Sequence, residues 1–223
     1  MVQDEIFFDP TGAPLTAHAS GLLHVQDIVC MRGGQCLFDG FSLTLNPGAA
    51  LAVHGANGAG KTSLLRVIAG LVPIQAGAVT LDGVPDIAVA THYVGHLDGL
   101  KNTLLVSETL HGFAGFYGRT ALSAGQAKQI LSWLGLSACA GRPVGELSAG
   151  QRRRLALARL LPVARPLWLL DEPFTALDAQ GREILAHLVA AHLSLNGMVI
   201  ASSHEALPFA TQTITLPMLQ GLA

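Results

Sequence analysis

"ALAVHGANGAGKTSLLRVIAGL", residues 50–71, decides the fold. It begins with an apolar run of strand length, "ALAVH", and ends with "KTSLLRVIAGL", whose apolar residues recur at helical spacing up to Gly70. Between them "GANGAGKT", Gly55–Thr62, satisfies G-x-x-x-x-G-K-[ST] in full. Strand, glycine-rich loop and helix in that order make a cradle for phosphate. Glycine lets the backbone close around an anion with its N–H groups turned inward, and the helix start adds the positive end of its dipole. Gly55, Ala56, Asn57, Gly58, Ala59, Gly60 and Ser63 belong to that wrapping. Lys61 reaches the β- and γ-phosphates of a nucleotide, and the Thr62 hydroxyl coordinates Mg2+. A glycine-rich turn with an incidental lysine is the plain alternative; the flanking strand and helix argue against it.

Two further apolar runs, "PLWLLD" and "MVIASS", read as buried strands. Strands separated by helices imply a parallel sheet, in which ligands bind beyond the carboxyl ends. Gly55 follows the first strand, Asp171 and Glu172 the second, His204 the third. Asp171 is placed to hold Mg2+ through water, and Glu172 to polarise an attacking water. His204 is placed to hydrogen-bond the γ-phosphate and that water. Solvated carboxylates and a structural histidine are the alternatives, and "DEP" alone would be weak; a phosphate loop upstream makes it strong.

The 223 residues suit one large α/β domain with an inserted subdomain. Residues 1–20, with Pro10, Gly12 and Pro14, read as a loosely held extension before a domain over 21–223. Alternating runs from Leu22 to Leu51, with turn signals at Gly33-Gly34 and Pro47-Gly48, predict a small antiparallel sheet. "GAVTLDGV" reads as another hairpin. From about Val106 to Leu136 the pattern is helical, and a helical subdomain is expected over about 97–150.

A net charge of -2 argues against nucleic acid as a partner. Half the residues are hydrophobic and only 13% charged, so an apolar face covered by another molecule is expected. Cys30, Cys36 and Cys139 show no pairing or zinc spacing and read as reduced thiols. "MVQDEIFFDP" lacks the basic start of a secretory signal. "ILAHLVAAHLSLNGMVIASSH" carries no Asp, Glu, Lys or Arg, yet Asn196-Gly197 splits it into helix and strand, so membrane contact is expected through partner subunits only.

"LSAGQ" occurs twice, at Leu122–Gln126 and Leu147–Gln151. In both, Ser precedes Gln by three residues, a capping box that starts a helix. The second copy runs through "RRRLALARLL" to Pro162 and then directly to the Asp171 strand, so Ser148, Ala149, Gly150 and Gln151 are the functional copy. A helix N-terminus with a Ser hydroxyl is an anion site. Successive arginines point about 100° apart on a helix; one or two of them are expected to pair with carboxylates and at least one to be solvated.

"GANGAGKT", "LSAGQRRR", "LLDEP", "ALD" and "SSHE", in this order and spacing, resemble the ATP-binding subunits of ABC transporters from about Leu22 onward. The resemblance implies ATP and Mg2+ as ligands and a head-to-tail homodimer. In it Ser148, Ala149 and Gly150 of one copy cap the γ-phosphate held by the other, and Asp178 links the two sites. Three positions depart from the usual pattern. His96 stands where a Gln contacting Mg2+ and water is usual; Arg32 stands where an aromatic stacks on adenine; Ala149 replaces a Gly. A guanidinium plane also stacks on a base. "VGHLDGLK", "SETL" and "PLWLLDEPFTALD" are similar to the branch serving cytochrome c maturation, the heme exporters. That branch implies an integral membrane permease partner, a peripheral place on the cytoplasmic face of the bacterial inner membrane, and heme export or heme release from a chaperone as the task. The residues leave open the same engine on another small importer or exporter, and an ATP-gated scaffold with little hydrolysis.

Overall fold

The computed structural model describes residues 21–117 and 122–217; the expected extension over 1–20 lies outside them. They divide into two compact units, one of residues 21–95, 165–173 and 192–217, the other of residues 96–164 and 174–191.

The first unit contains two sheets. Strands β1 (Leu23–Arg32), β2 (Gln35–Leu45) and β4 (Ala76–Leu81) form an antiparallel sheet in the order β2-β1-β4. Gly33 and Gly34, both at positive φ, make the β1–β2 turn the sequence predicts. "GAVTLDGV" departs from its reading as a hairpin. Its first half is β4, paired to β1, and beyond Asp82-Gly83 only an isolated Leu81–Val84 bridge forms. Three residues past the turn, Val84 to Asp86, lead into a 3-10 turn at Ile87–Ala90, leaving no length for a return strand.

Gly77 has φ 86, and a Cβ there would overlap the carbonyl oxygens of Gln26 and Asp27 on β1. Gly77→Ala is expected to destabilise the chain by about 2–4 kcal/mol, from left-handed strain plus overpacking. Urea unfolding should show a lower midpoint at unchanged slope.

The second sheet is wholly parallel, ordered β5-β6-β7-β3-β8. Its members are β3 (Ala50–His54), β5 (Thr91–Val94), β6 (Leu167–Asp171), β7 (Met198–Ser202) and β8 (Gln212–Thr215). β6 and β7 are buried along their whole length, as unbroken apolar runs require when both faces are covered. Helix α1 (Lys61–Ile68) follows β3, and Leu64, Leu65 and Ile68 pack with Leu51, Val53, Leu167, Leu169 and Ile200 in one core. β6, β7 and β3 are neighbours, and Ser202 stands in register with both Asp171 and Val53. Three strands therefore end side by side.

The second unit holds α2 (Val106–Phe116), α3 (Ala124–Trp133) and α4 (Ala149–Leu157) around a separate core that includes Val106, Leu110, Leu131, Leu134 and Leu155. Leu122 and Leu147, the residues before the two capping serines, are both buried in it. Helix α5 (Ala179–Ser194) precedes β7, and the two divide the uncharged stretch over Ile184–His204 at Asn196 (φ 63) and Gly197. Among the described residues no helix is long and apolar enough to cross a membrane. Cys30, Cys36 and Cys139 are free thiols.

Candidate functional site

The loop after β3 gives way to α1 at Gly60, whose φ of 93 suits glycine. As N-cap it offers no side-chain acceptor, so no side chain competes for the first amides of α1. This is the local condition for holding phosphate oxygens. The Lys61 ammonium lies across the loop mouth, donating to the carbonyls of Gly55 (2.8 Å) and Ala56 (3.2 Å). Arg32, at the end of β1, brings its guanidinium to 3.5 Å from the Ser63 hydroxyl, which sets a planar cation beside the loop.

Asp171 ends β6 buried. Its two oxygens accept from the Thr62 hydroxyl at 2.9 and 3.1 Å. A hydroxyl against a carboxylate is an all-oxygen donor set, which fits Mg2+ and not a thiolate-seeking metal. Among the described residues no group of three or more His, Cys, Asp or Glu could hold a metal ion alone. Mg2+ at this point would therefore draw its remaining ligands from nucleotide phosphates and water. Behind Asp171, the Tyr93 hydroxyl accepts from Arg66 Nε at 3.3 Å. Burial pushes the Tyr93 phenol up, and the Asp171 carboxylate, as charge and as hydrogen-bond partner, adds to the rise.

Glu172 takes a left-handed backbone turn, φ 49. Such a conformation is costly for a non-glycine residue and signals a constrained position. The turn places Glu172 Oε1 3.4 Å from His204 Nε2. The same His204 nitrogen lies 3.4 Å from Lys61 Nζ. His54 Nδ1 stands 2.9 Å from the Ser203 carbonyl, tying the start of the phosphate loop to the backbone just before His204. The structure thus brings together Arg32, the loop from Gly55 to Ser63, Asp171, Glu172 and His204.

Ser148, Ala149, Gly150, Gln151, Asp178 and His96 belong to the other unit. Both predicted capping boxes form: Ser123 accepts from the Gln126 amide, and Ser148 from the Gln151 amide, each at 3.2 Å. Ser123, Ser148 and Ala149 are all exposed. Their surroundings differ. A Cβ on Gly150 would meet the Asp178 carboxylate at 3.2 Å, whereas one on Gly125 would meet only the Ser123 hydroxyl. Asp178 in turn caps α5 through the Gly181 amide (2.8 Å) and lies 3.4 Å from Arg154 on α4.

None of the three arginines after Gln151 is a solvated side chain, contrary to the expectation for at least one. Arg152 pairs with Asp98 (2.9 Å) and donates to Asn102 (2.7 Å). Arg153 is buried and donates to the His96 carbonyl. Arg154, also buried, donates to the Leu134 carbonyl and to Gln180. Guanidinium carries donors on three nitrogens, so a buried arginine can bond backbone carbonyls as well as side chains, which residue type alone does not reveal. His96 is exposed, its carbonyl held by Arg153.

Sequence reading missed Ser202, Tyr93 and His54. For Ser202 there was a signal, a hydroxyl closing an otherwise apolar buried strand, since a buried polar group needs partners.

The family model described as ABC transporter matches residues 38–175. The cytochrome c biogenesis ATP-binding export protein CcmA of Rhodopseudomonas palustris strain HaA2 is 47% identical over 192 residues, covering 84% of this chain and 94% of its own. Its counterpart in Hyphomonas neptunium is 43% identical over 203 residues, 91% of this chain and all of its own. A solved structure from Pyrococcus furiosus, assigned as an ABC transporter ATP-binding protein, superposes with a TM-score of 0.77 at 25% identity, covering 87% of this chain and 97% of that one. Phosphate loop, strand-end carboxylates and these relatives agree: the chain belongs to the ABC transporter family of ATP-binding proteins, among the cytochrome c biogenesis ATP-binding export proteins.

Proposed function

We propose that this chain is the ATP-hydrolysing subunit of an ABC transporter complex for cytochrome c biogenesis, working as a head-to-tail homodimer on integral membrane permease subunits. The observation that carries the chemistry is the gathering of Lys61, Thr62, Asp171, Glu172 and His204 at neighbouring strand ends. The likeness to the export proteins carries the biological role.

In this reading the amides of Gly55–Ser63 and the Lys61 ammonium bind the phosphates of ATP, and the Arg32 guanidinium stacks on adenine. Thr62 and Asp171 hold Mg2+, which neutralises charge on the β- and γ-phosphates. Glu172 accepts a hydrogen bond from the attacking water, and His204 orients that water and the γ-phosphate. Ser148, Ala149 and Gly150 of the second copy, with Gln151 fixing their turn, close over the γ-phosphate, and Asp178 links the two copies. His96 contacts the same water and metal. Cleavage removes the shared anion, and the copies part. The helical subdomain near His96–Leu110 carries that motion to the permease at the cytoplasmic face of the inner membrane. Heme, exported or released from its chaperone, is handled by the partners, since none of the nine histidines lies in a Cys-x-x-Cys-His motif.

Purifying the chain with whatever holds it in native membranes tests the reading. Cytochrome c maturation permease subunits and Mg2+-dependent ATPase activity are expected together. Subunits of an unrelated transporter would overturn the branch, and ATP binding without hydrolysis would overturn the reaction.

A further inference from the structure

Ser202 closes β7 and is completely buried. Its hydroxyl donates to Asp171 Oδ1 at 2.7 Å and accepts from the Glu172 backbone amide at 2.9 Å. One oxygen therefore touches both carboxylate-bearing residues, through the side chain of one and the main chain of the other. Register explains how. Ser202 is paired with Asp171 on β6 and with Val53 on β3, so it stands between the strand that supplies the carboxylates and the strand that opens into the phosphate loop.

We infer that Ser202 is a positioning residue for ATP hydrolysis, setting the Asp171 carboxylate and the left-handed turn at Glu172 relative to one another. This inference rests on the ATPase reading above. Asp171 faces Thr62 with the oxygen that receives the Ser202 proton also 3.1 Å from the Thr62 hydroxyl. Two hydroxyl donors fix that carboxylate on two sides. Glu172 leaves β6 at φ 49, a turn that ordinary residues avoid, and its amide is anchored to the Ser202 hydroxyl. Removing the hydroxyl leaves a part-buried N–H without that acceptor and frees the turn to relax. Glu172 Oε1 then loses its place beside His204, while the phosphate loop, built on β3 and α1, keeps its own geometry. Ser202 touches no reacting atom; it acts through the two residues that do.

The test compares Ser202→Ala, Ser202→Val and Ser202→Thr with wild type, each purified with its membrane partners. Val and Thr have the same shape and differ only in the hydroxyl, which separates hydrogen bonding from volume. Ser202→Ala and Ser202→Val should lower kcat by about 10- to 100-fold, as a misplacement near 1 Å does, with KM for ATP within about twofold. Ser202→Thr should recover most of kcat. Affinity for a fluorescent ATP analogue should be unchanged in EDTA, and its increase on adding Mg2+ should shrink in Ala and Val only. Ser202→Ala with kcat within about twofold of wild type would overturn the inference. So would a joint fall of thermal midpoint, EDTA affinity and kcat in which Thr is no better than Val, since that marks packing alone. A wild-type protein without ATPase activity would instead overturn the ATPase reading, and a Glu172→Gln protein as active as wild type would overturn Glu172 as the residue that activates water; either result takes this inference with it.

Discussion

Replacing Glu172 with Gln is expected to lower ATP turnover by about two to four orders of magnitude, the usual worth of a positioned general base, while ATP binding survives. The contacts that bind phosphate are elsewhere: the amides after β3, the Lys61 ammonium and the Thr62–Asp171 pair. Glutamine keeps the size of the side chain and the backbone amide that bonds Ser202. It removes the anionic oxygen beside His204, and with it the acceptor for a proton from water. Binding without cleavage should trap the closed dimer. Size-exclusion chromatography in ATP and Mg2+ should show dimer for Glu172→Gln and mostly monomer for wild type after turnover. Monomer only, with bound ATP confirmed, would refute the shared-nucleotide arrangement.

The second large effect separates the twin motifs. Ser148→Arg should reduce turnover by at least about 100-fold, and Ser123→Arg should leave it within about twofold, by the same geometric sensitivity. Both serines are N-caps of identical capping boxes, so each substitution costs a similar ~1 kcal/mol of helix stability. That common cost cancels in the comparison. What remains is the bulky cation where the second copy's nucleotide should meet Ser148. The ATPase assay should be paired with thermal melting of both variants. Equal loss of turnover at equal, retained stability would mean the choice of Ser148 over Ser123 is wrong.

Much of the site was legible because its signals are local. A glycine-rich loop between strand and helix, and acidic residues at the end of an apolar strand, can each be read from adjacent residues, and the structure brings the two together. The parallel sheet was legible for the same reason: β6 and β7 read as unbroken apolar runs. What escaped depends on pairing between distant segments. Ser202 meets Asp171 only because β6 and β7 are neighbours in register, a long-range fact that no spacing encodes. Arg152 and Arg154 pair with Asp98 and Asp178, as the expectation of carboxylate partners for one or two of the arginines had it, but the burial of Arg153 and Arg154 escaped likewise. At least one arginine was expected to be solvated, and only folding shows the carbonyls of His96 and Leu134 waiting for the two buried ones. The hairpin reading of "GAVTLDGV" fell short for the same reason: β4 finds its ladder in β1, about fifty residues upstream, and across its own turn it makes only the single Leu81–Val84 bridge.

The stretch from His96 to Asn102 is fastened to α4 and the turn beyond it by arginines. Arg152 grips Asp98 and Asn102, Arg153 the His96 carbonyl, and Arg159 the Asp98 carbonyl. Leu97, amid these grips, is largely exposed. Of these grips only Arg152–Asp98 joins two formal charges, so added salt loosens that one selectively. The buried Arg153 and the apolar Leu100, packed on the helical core, hold the stretch whatever the ionic strength.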